Sequence, residues 1–301
     1  MYNDLFTVFG LTVHGYGLMI GLGFLMAVAI INYRAPRLGL SADAATSMAL
    51  IALVFGFLGA KLMYIAVNLR TFLQDPLAVL GSEGFVVYGG IILGIIAVCL
   101  YCRRKKVSFL EYFDLMLPAV AVNQAMGRIG CFLAGCCYGR PTDSALGVVF
   151  PAGCSAPAGI PLFPSQLFSA AGDLLIAAVL LIFYRRLKHR GSVGGLYLIL
   201  YSVGRFFIEY TRDDPRGSLG IFSTSQFISL FILAAGILLM WRSRRLPVRA
   251  DRPAAPEGEE DNQPETTEEI QPKAVEEVQS ETVEEVQPEA AEASAPDGDQ
   301  E

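Results

Sequence analysis

Histidine is almost missing from this 301-residue chain, which has only His14 and His189. Zinc sites lean on histidine or on paired C-x-x-C cysteines, and Cys131, Cys136, Cys137 and Cys154 do not fall into that spacing. No metal centre and no cofactor are therefore expected. There is no glycine loop followed by Lys-Ser/Thr, no nucleophile elbow and no dinucleotide fingerprint. Those gaps argue against nucleotide chemistry and against a serine hydrolase, and no nucleic-acid partner is expected. Cleavable-signal features are missing too, because Met1–Leu5 contains Asp4, no basic residue, and no small-residue cleavage pattern after it.

Charge is scarce, at 17% of residues, and it is unevenly placed. From Asp251 to Glu301 there are 18 acidic residues against Arg252 and Lys273. The preceding 250 residues hold 11 acidic and 21 basic groups, a net of +10. The acidic stretch has no aromatic residue and is rich in Glu, Pro, Ala, Gln and Ser. It cannot bury enough apolar surface to offset its ordering entropy. Two regions are expected: a membrane domain over 1–249 and a disordered acidic tail over 250–301, with a weak Val-Glu-Glu-Val-Gln repeat at Val275 and Val283.

What is abundant is apolar sequence, 53% of the chain. A spanning helix needs roughly 20 mainly apolar residues. Such segments fall near Tyr16–Tyr33, Ser47–Asn68, Phe85–Cys102, Tyr112–Ala134, Gln166–Tyr184, Gly194–Tyr210 and Ile221–Trp241. The fourth and sixth contain charges. The reading is an all-α integral membrane protein of about seven spans. Alternate connections carry 14 basic residues, from Arg34 to Arg249, against Arg70, Arg140, Arg212 and Arg216. Basic loops stay cytoplasmic. The N-terminus is accordingly expected outside and the tail inside.

With that orientation Tyr16, Tyr88, Arg128, Arg205 and Glu209 gather toward the outer end, with Arg212 at or beyond it. Arg205, Glu209 and Arg212 share one helical face at i, i+4 and i+7. A charge inside a bilayer is costly unless paired or hydrated, so this face should look into the bundle or a polar cavity. An Arg–Glu pair locking helices together is the plainer alternative. Arg128 lies between Gly127 and Gly130, sharing a face with Gln124 and Asp114. A guanidinium is a planar fork suited to a phosphate diester. Glycine-mediated packing, with Arg128 held by a carbonyl or by Asp114, is the competing reading. Tyr88-Gly89-Gly90 opens the third segment and Tyr16-Gly17 the first. Such glycines permit close backbone approach, and such tyrosines also serve as interfacial anchors. Cys99 and Cys102 read as packing residues, and a disulfide from Cys154 to Cys136 or Cys137 is an expectation.

These motifs, in order, resemble the prolipoprotein diacylglyceryl transferase family. The resemblance rests on Tyr16-Gly17-Leu18-Met19, Gly89-Gly90 with Gly94, and Gly127-Arg128-Ile129-Gly130-Cys131-Phe132 followed by Tyr138-Gly139. It extends to Pro164-Ser165-Gln166-Leu167, to Arg205-Phe206-Phe207-Ile208-Glu209-Tyr210-Thr211-Arg212, and to Ser225-Gln226, covering nearly all of 1–245. It implies a seven-helix enzyme of the bacterial cytoplasmic membrane that moves diacylglycerol from phosphatidylglycerol to the lipobox cysteine of a preprolipoprotein, releasing glycerol phosphate. By the same resemblance Arg205, Glu209 and Tyr88 would be catalytic. Arg128, Tyr16, Gly89, Gly90, Gly139 and Arg212 would bind substrate. Compared with the family pattern, Tyr88 replaces a histidine, Cys131 an asparagine, Ala134 and Cys136 further polar residues, Lys61 an arginine, and Phe168-Ser169 a Tyr-Glu pair. Two other readings stand beside this one. One is a divergent paralogue using another acceptor or phospholipid. The other is a non-enzymatic binder or transporter of anionic lipid.

Overall fold

The computed structural model describes residues 4–8, 11–82, 84–213, 218–219 and 222–249. The expected disordered tail lies outside the described residues. A short hairpin, β1 (Asp4–Val8) with β2 (Leu11–His14), leads into helix α1 (Gly15–Arg37). Helix α2 (Ala42–Val67) follows, its first turn capped by the Ser41 hydroxyl, which accepts from the Ala44 amide at 3.2 Å. Two single-turn helices, α3 (Leu69–Gln74) and α4 (Pro76–Gly81), connect it to α5 (Val87–Lys105). Next comes α6 (Phe109–Leu133), then a loop carrying the two-residue strands β3 (Val148–Val149) and β4 (Pro161–Leu162). Helices α7 (Ser165–Phe183) and α8 (Ser192–Ile208) come after, α8 tightening into a 3₁₀ turn at Glu209–Thr211. A hairpin of β5 (Ser218–Leu219) and β6 (Phe222–Ser223) precedes α9 (Thr224–Ser243), which opens on a reciprocal capping box between Ser223 and Gln226.

Each of the seven apolar segments coincides with one long helix. Five of them, α1, α2, α5, α7 and α9, are long and apolar enough to cross a membrane. Their outward faces present Leu25, Val54, Ile92, Leu175 and Phe231. A soluble protein would not leave so much contiguous apolar surface in water. Small and aliphatic side chains fill the interior, with Ala35, Ala45, Met48, Leu115 and Ala119 in one cluster and Leu180, Val193 and Tyr197 in another. Helix α1 packs along α6, α6 along α7, and α8 along α9.

Where α2 crosses α5 the backbones touch. A Cβ on Gly89 would overlap the Gly59 carbonyl, and one on Gly90 would reach the Gly56 carbonyl at 2.5 Å. In lipid, helices associate through this kind of close packing because the hydrophobic drive between them is missing.

The other end of the bundle is held electrostatically. Asp114 is fully buried in α6 and accepts from the amides of Gly191 (2.8 Å) and Gly194 (2.7 Å). It thereby caps α8 with a negative charge, where the helix dipole and the orphan N–H groups want one. Arg249 stands 3.6 Å from Asp114 and over the Tyr184 ring at 4.2 Å, and Arg34 covers that ring at 4.5 Å. Asp114 is therefore a structural anchor, not the partner of Arg128 that the shared helix face allowed.

Candidate active site

The opposite end of α6 meets α7 and α8 around an open cleft of about 350 Å³. Arg128, Asp173, Arg205, Tyr201 and Thr211 line it with Phe168, Ser169 and Ile176. The two arginines singled out from sequence thus share one cavity. They are differently supported. Arg205 is built into the protein, with Nη1 donating to Glu209 Oε2 at 2.7 Å and Nη2 donating to the Ser225 hydroxyl at 2.8 Å. Both members of that ion pair are nearly buried, at 11% and 8% side-chain exposure, so the pair is fixed in place and not fraying in solvent. Among the described residues Arg128 makes no hydrogen bond and no ion pair. Its guanidinium donors are open to the cavity.

Asp173 was not apparent from sequence. It is buried in α7, lines the cleft, and lies within electrostatic reach of both Arg128 and Arg205. A lone acid in an otherwise apolar 19-residue helix was the available signal, since an intramembrane carboxylate is functional by default. Its presence lowers the positive surplus anticipated for the site. Arg128, Arg205 and Arg212 are now set against Glu209 and Asp173.

Arg212 is buried just past the 3₁₀ turn, bridged antiparallel to Gly139. Three extended strands cross there. The Gly139 amide donates to the Phe163 carbonyl (3.1 Å) and the Arg140 amide to the Thr211 carbonyl (2.9 Å). A Cβ on Gly139 would overlap the Phe163 carbonyl and approach that of Thr211 to 2.7 Å. Glycine is required because three backbones meet, and the crossing fixes where Arg212 enters.

The remaining expected residues are spread around this centre. Tyr16 lies with its ring against Gly130, where a Cβ would be 3.1 Å from Tyr16 Cδ2, so it stands beside the last turn of α6. Gly89 and Gly90 face α2. Tyr88, at the start of α5, is 47% exposed and does not line the cleft. Lys61 donates to the Ser82 carbonyl at 2.6 Å and lies between the rings of Tyr64 and Phe85.

Beyond α6 the chain reverses tightly. The Cys136 amide donates to the Cys131 carbonyl (3.1 Å) and the Gly135 amide to that of Phe132 (3.2 Å), with Gly135 left-handed at φ +66°. This six-to-one, five-to-two pattern is a Schellman motif, which brings the residue after the glycine back onto the last helical turn. Here the two residues so joined are Cys136 and Cys131. Cys137 is itself left-handed (φ 59°), which turns its thiol toward the same point. The three sulfurs lie within 4.8 Å of one another. The thiols of Cys131 and Cys136 hydrogen-bond to Cys137 and, with the Arg212 guanidinium beside it, hold it well below the ordinary thiol range. Ser165 and Gln166 pin the loop by donating to the carbonyls of Cys137 (3.0 Å) and Cys136 (2.8 Å). That is a structural reason for the Ser-Gln pair in the sequence. The anticipated disulfide is not formed: Cys154 is a free thiol whose Sγ donates to the Pro151 carbonyl at 3.2 Å.

Five membrane-length apolar helices and two arginines in one open cleft define a helical membrane protein with a polar site. Comparison with known proteins narrows this. The family profile described as prolipoprotein diacylglyceryl transferase matches residues 3–242. The phosphatidylglycerol–prolipoprotein diacylglyceryl transferase 2 of Clostridium perfringens is 44% identical over 234 residues, 77% of this chain and 91% of that protein. The corresponding transferase of Clostridium tetani is 46% identical over 237 residues (78% and 95%), and that of Clostridioides difficile 32% over 235 (77% and 92%). The chain belongs to the prolipoprotein diacylglyceryl transferase family and is an enzyme of the transferase class.

Proposed function

We propose that this chain transfers the diacylglyceryl group of phosphatidylglycerol to the lipobox cysteine of preprolipoproteins, the first step of lipoprotein maturation. The observation that carries this is Arg128, a guanidinium with no hydrogen bond or ion pair among the described residues, in the same cleft as the rigidly held Arg205. An open arginine fork in a membrane helix is costly unless something anionic completes it. The phosphate of the donor lipid does so. As the bond between glyceryl carbon and phosphate oxygen breaks, negative charge grows on the departing phosphate. Preorganised guanidinium groups stabilise that charge without reorganising. Glu209 fixes the Arg205 fork, Arg212 extends the positive field, and Tyr16 borders the headgroup position.

The same reading makes the bundle a seven-span domain, 1–249, in the bacterial cytoplasmic membrane. Helix α6 carries Glu111, Asp114 and Arg128, and α8 has only 17 residues, so both depend on the bundle to shield them. The N-terminus is outside and the acidic tail, 250–301, is on the cytoplasmic side. In support, Arg34, Arg190 and Arg249, all assigned to the cytoplasmic side by charge bias, gather about Tyr184, Glu111 and Asp114 at one end. The arginine cleft is at the other end, where a translocated acceptor arrives. Complementation of a strain depleted of its own transferase tests the function. Wild type should restore growth and Arg128→Ala should not, at equal membrane abundance. Failure of the wild-type chain, with phosphatidylglycerol bound but never consumed, would favour a lipid-binding protein instead.

A further inference from the structure

We propose that Cys131, Cys136 and Cys137 form a three-thiolate seat for one zinc-class d10 metal ion, whose fourth position takes the thiol of the acceptor cysteine. The inference rests on the transferase reading for the identity of that fourth ligand, but the seat itself stands on geometry.

The three sulfurs lie within 4.8 Å of one another, from a loop built to hold them there. With Zn–S bonds of about 2.3 Å, a tetrahedral site has an S···S edge of about 3.8 Å. Closing the trio on an ion therefore needs a contraction of only about 1 Å. Little backbone entropy remains to be lost. The Schellman turn joins Cys131 to Cys136, the left-handed Cys137 folds back, and Ser165 and Gln166 clamp both loop carbonyls. Ligands held by such outer contacts characterise tuned metal sites. Cys131 is buried, whereas Cys136 and Cys137 are only partly so, which leaves one face open. Three protein ligands and an open position distinguish catalytic zinc from closed structural zinc. Three thiolates and a divalent ion carry a net charge of −1, and Arg212 and Arg128 lie alongside to offset it.

The chemistry supplies a need that the arginine cleft leaves unmet. The acceptor thiol must lose its proton before it attacks, and Tyr88, which replaces the family histidine, lies outside the cleft. A metal deprotonates a coordinating thiol outright. The acceptor thiol gives its proton to water on binding the ion. Its sulfur then attacks the glyceryl carbon that bears the phosphate, the C–O bond breaks, and the electron pair leaves on the phosphate oxygen. Thiolate and diester, one negative charge each, become a neutral thioether and a dianionic glycerol phosphate. The thioether is a poor ligand and departs. Nothing is oxidised or reduced.

The test uses the full chain in phosphatidylglycerol nanodiscs, stripped by chelator and titrated with Co²⁺ and Zn²⁺. One ion per chain is expected, with a sulfur-to-cobalt charge-transfer band that a lipobox cysteine peptide shifts and its serine analogue does not. Zinc should protect all three thiols of the wild-type protein from alkylation, a readout that needs no variant. Cys136→Ser and Cys137→Ser, checked for unchanged elution, should each abolish the band. Chelation should slow transfer at least about a hundredfold, the scale of losing a proton-abstracting group, and Zn²⁺ should restore it. Unprotected thiols, a band that ignores the peptide, a disulfide within the trio, or full transfer after chelation would overturn the proposal. Metal binding with the expected spectra but no transfer under any condition would uphold the seat and refute the transferase reading.

Discussion

Arg128→Ala is the most informative single change, because Arg128 and Arg205 differ in what they support. Removing Arg205 strands Glu209, a carboxylate at 8% exposure, without its 2.7 Å partner. Breaking a buried pair this way costs about 3–5 kcal/mol of stability, so lost activity there is ambiguous. Arg128 has no hydrogen bond or ion pair among the described residues, so its truncation breaks no such bond, and buried Asp173 keeps Arg205 as a nearby positive charge. Stability should fall by only about 1 kcal/mol, the centre of the range for single substitutions. Catalysis should suffer far more. Deleting one preorganised donor to a developing oxyanion costs about 2.7–4 kcal/mol, or roughly 10²–10³ in kcat. Arg128→Lys keeps the charge but loses the planar fork, and should recover only part of the loss. The assay is thioether formation on a fluorescent lipobox peptide in phosphatidylglycerol nanodiscs, with thermal melting of each variant alongside. Activity of Arg128→Ala within a few-fold of wild type, at an unchanged melting temperature, would refute the assigned role.

Other changes probe the scaffold. Asp114→Ala removes the carboxylate that caps α8 and faces Arg249, and should cost about 3–5 kcal/mol. Melting in detergent checks this, and no shift would contradict it. Gly139→Val pushes a side chain into the carbonyls of Phe163 and Thr211, so it should displace Arg212 and abolish transfer even where the chain still inserts. Normal activity would show that the strand crossing is dispensable. Gly89→Leu should disrupt the α2–α5 crossing and lower yield in the membrane, whereas a purely catalytic role would leave yield intact. Removing residues 250–301 should leave transfer in nanodiscs unchanged, and a loss would assign the acidic tail a working role.

Five of the helices were legible because a bilayer imposes a length and a composition on each. The segment read as Tyr16–Tyr33 is the core of Gly15–Arg37, and the others match as closely. The Arg205–Glu209 pair was legible because i and i+4 are neighbours on any helix. Asp114 shares the face of Arg128 by spacing, yet its partners are the Gly191 and Gly194 amides and Arg249. Helical phase says which side a residue faces, not which neighbouring helix arrives there. Gly89 and Gly90 signal close approach, and in the structure the backbone of α2 is what comes close. Asp173 was hidden among apolar neighbours. The cysteine trio was hidden for a different reason. Cys131 and Cys136 are five residues apart, a spacing that means little until Gly135 is recognised as the left-handed stop that folds one onto the other.

The central claim is that the arginine cleft grips a lipid phosphate while the glyceryl carbon changes partners. Mass spectrometry of the products made by the purified chain from phosphatidylglycerol and a lipobox peptide tests it most directly. One thioether-linked diacylglyceryl peptide and one glycerol phosphate should appear per phosphatidylglycerol consumed, with both products falling together in Arg128→Ala. Phosphatidylglycerol that stays bound and intact beside an unmodified peptide would contradict it.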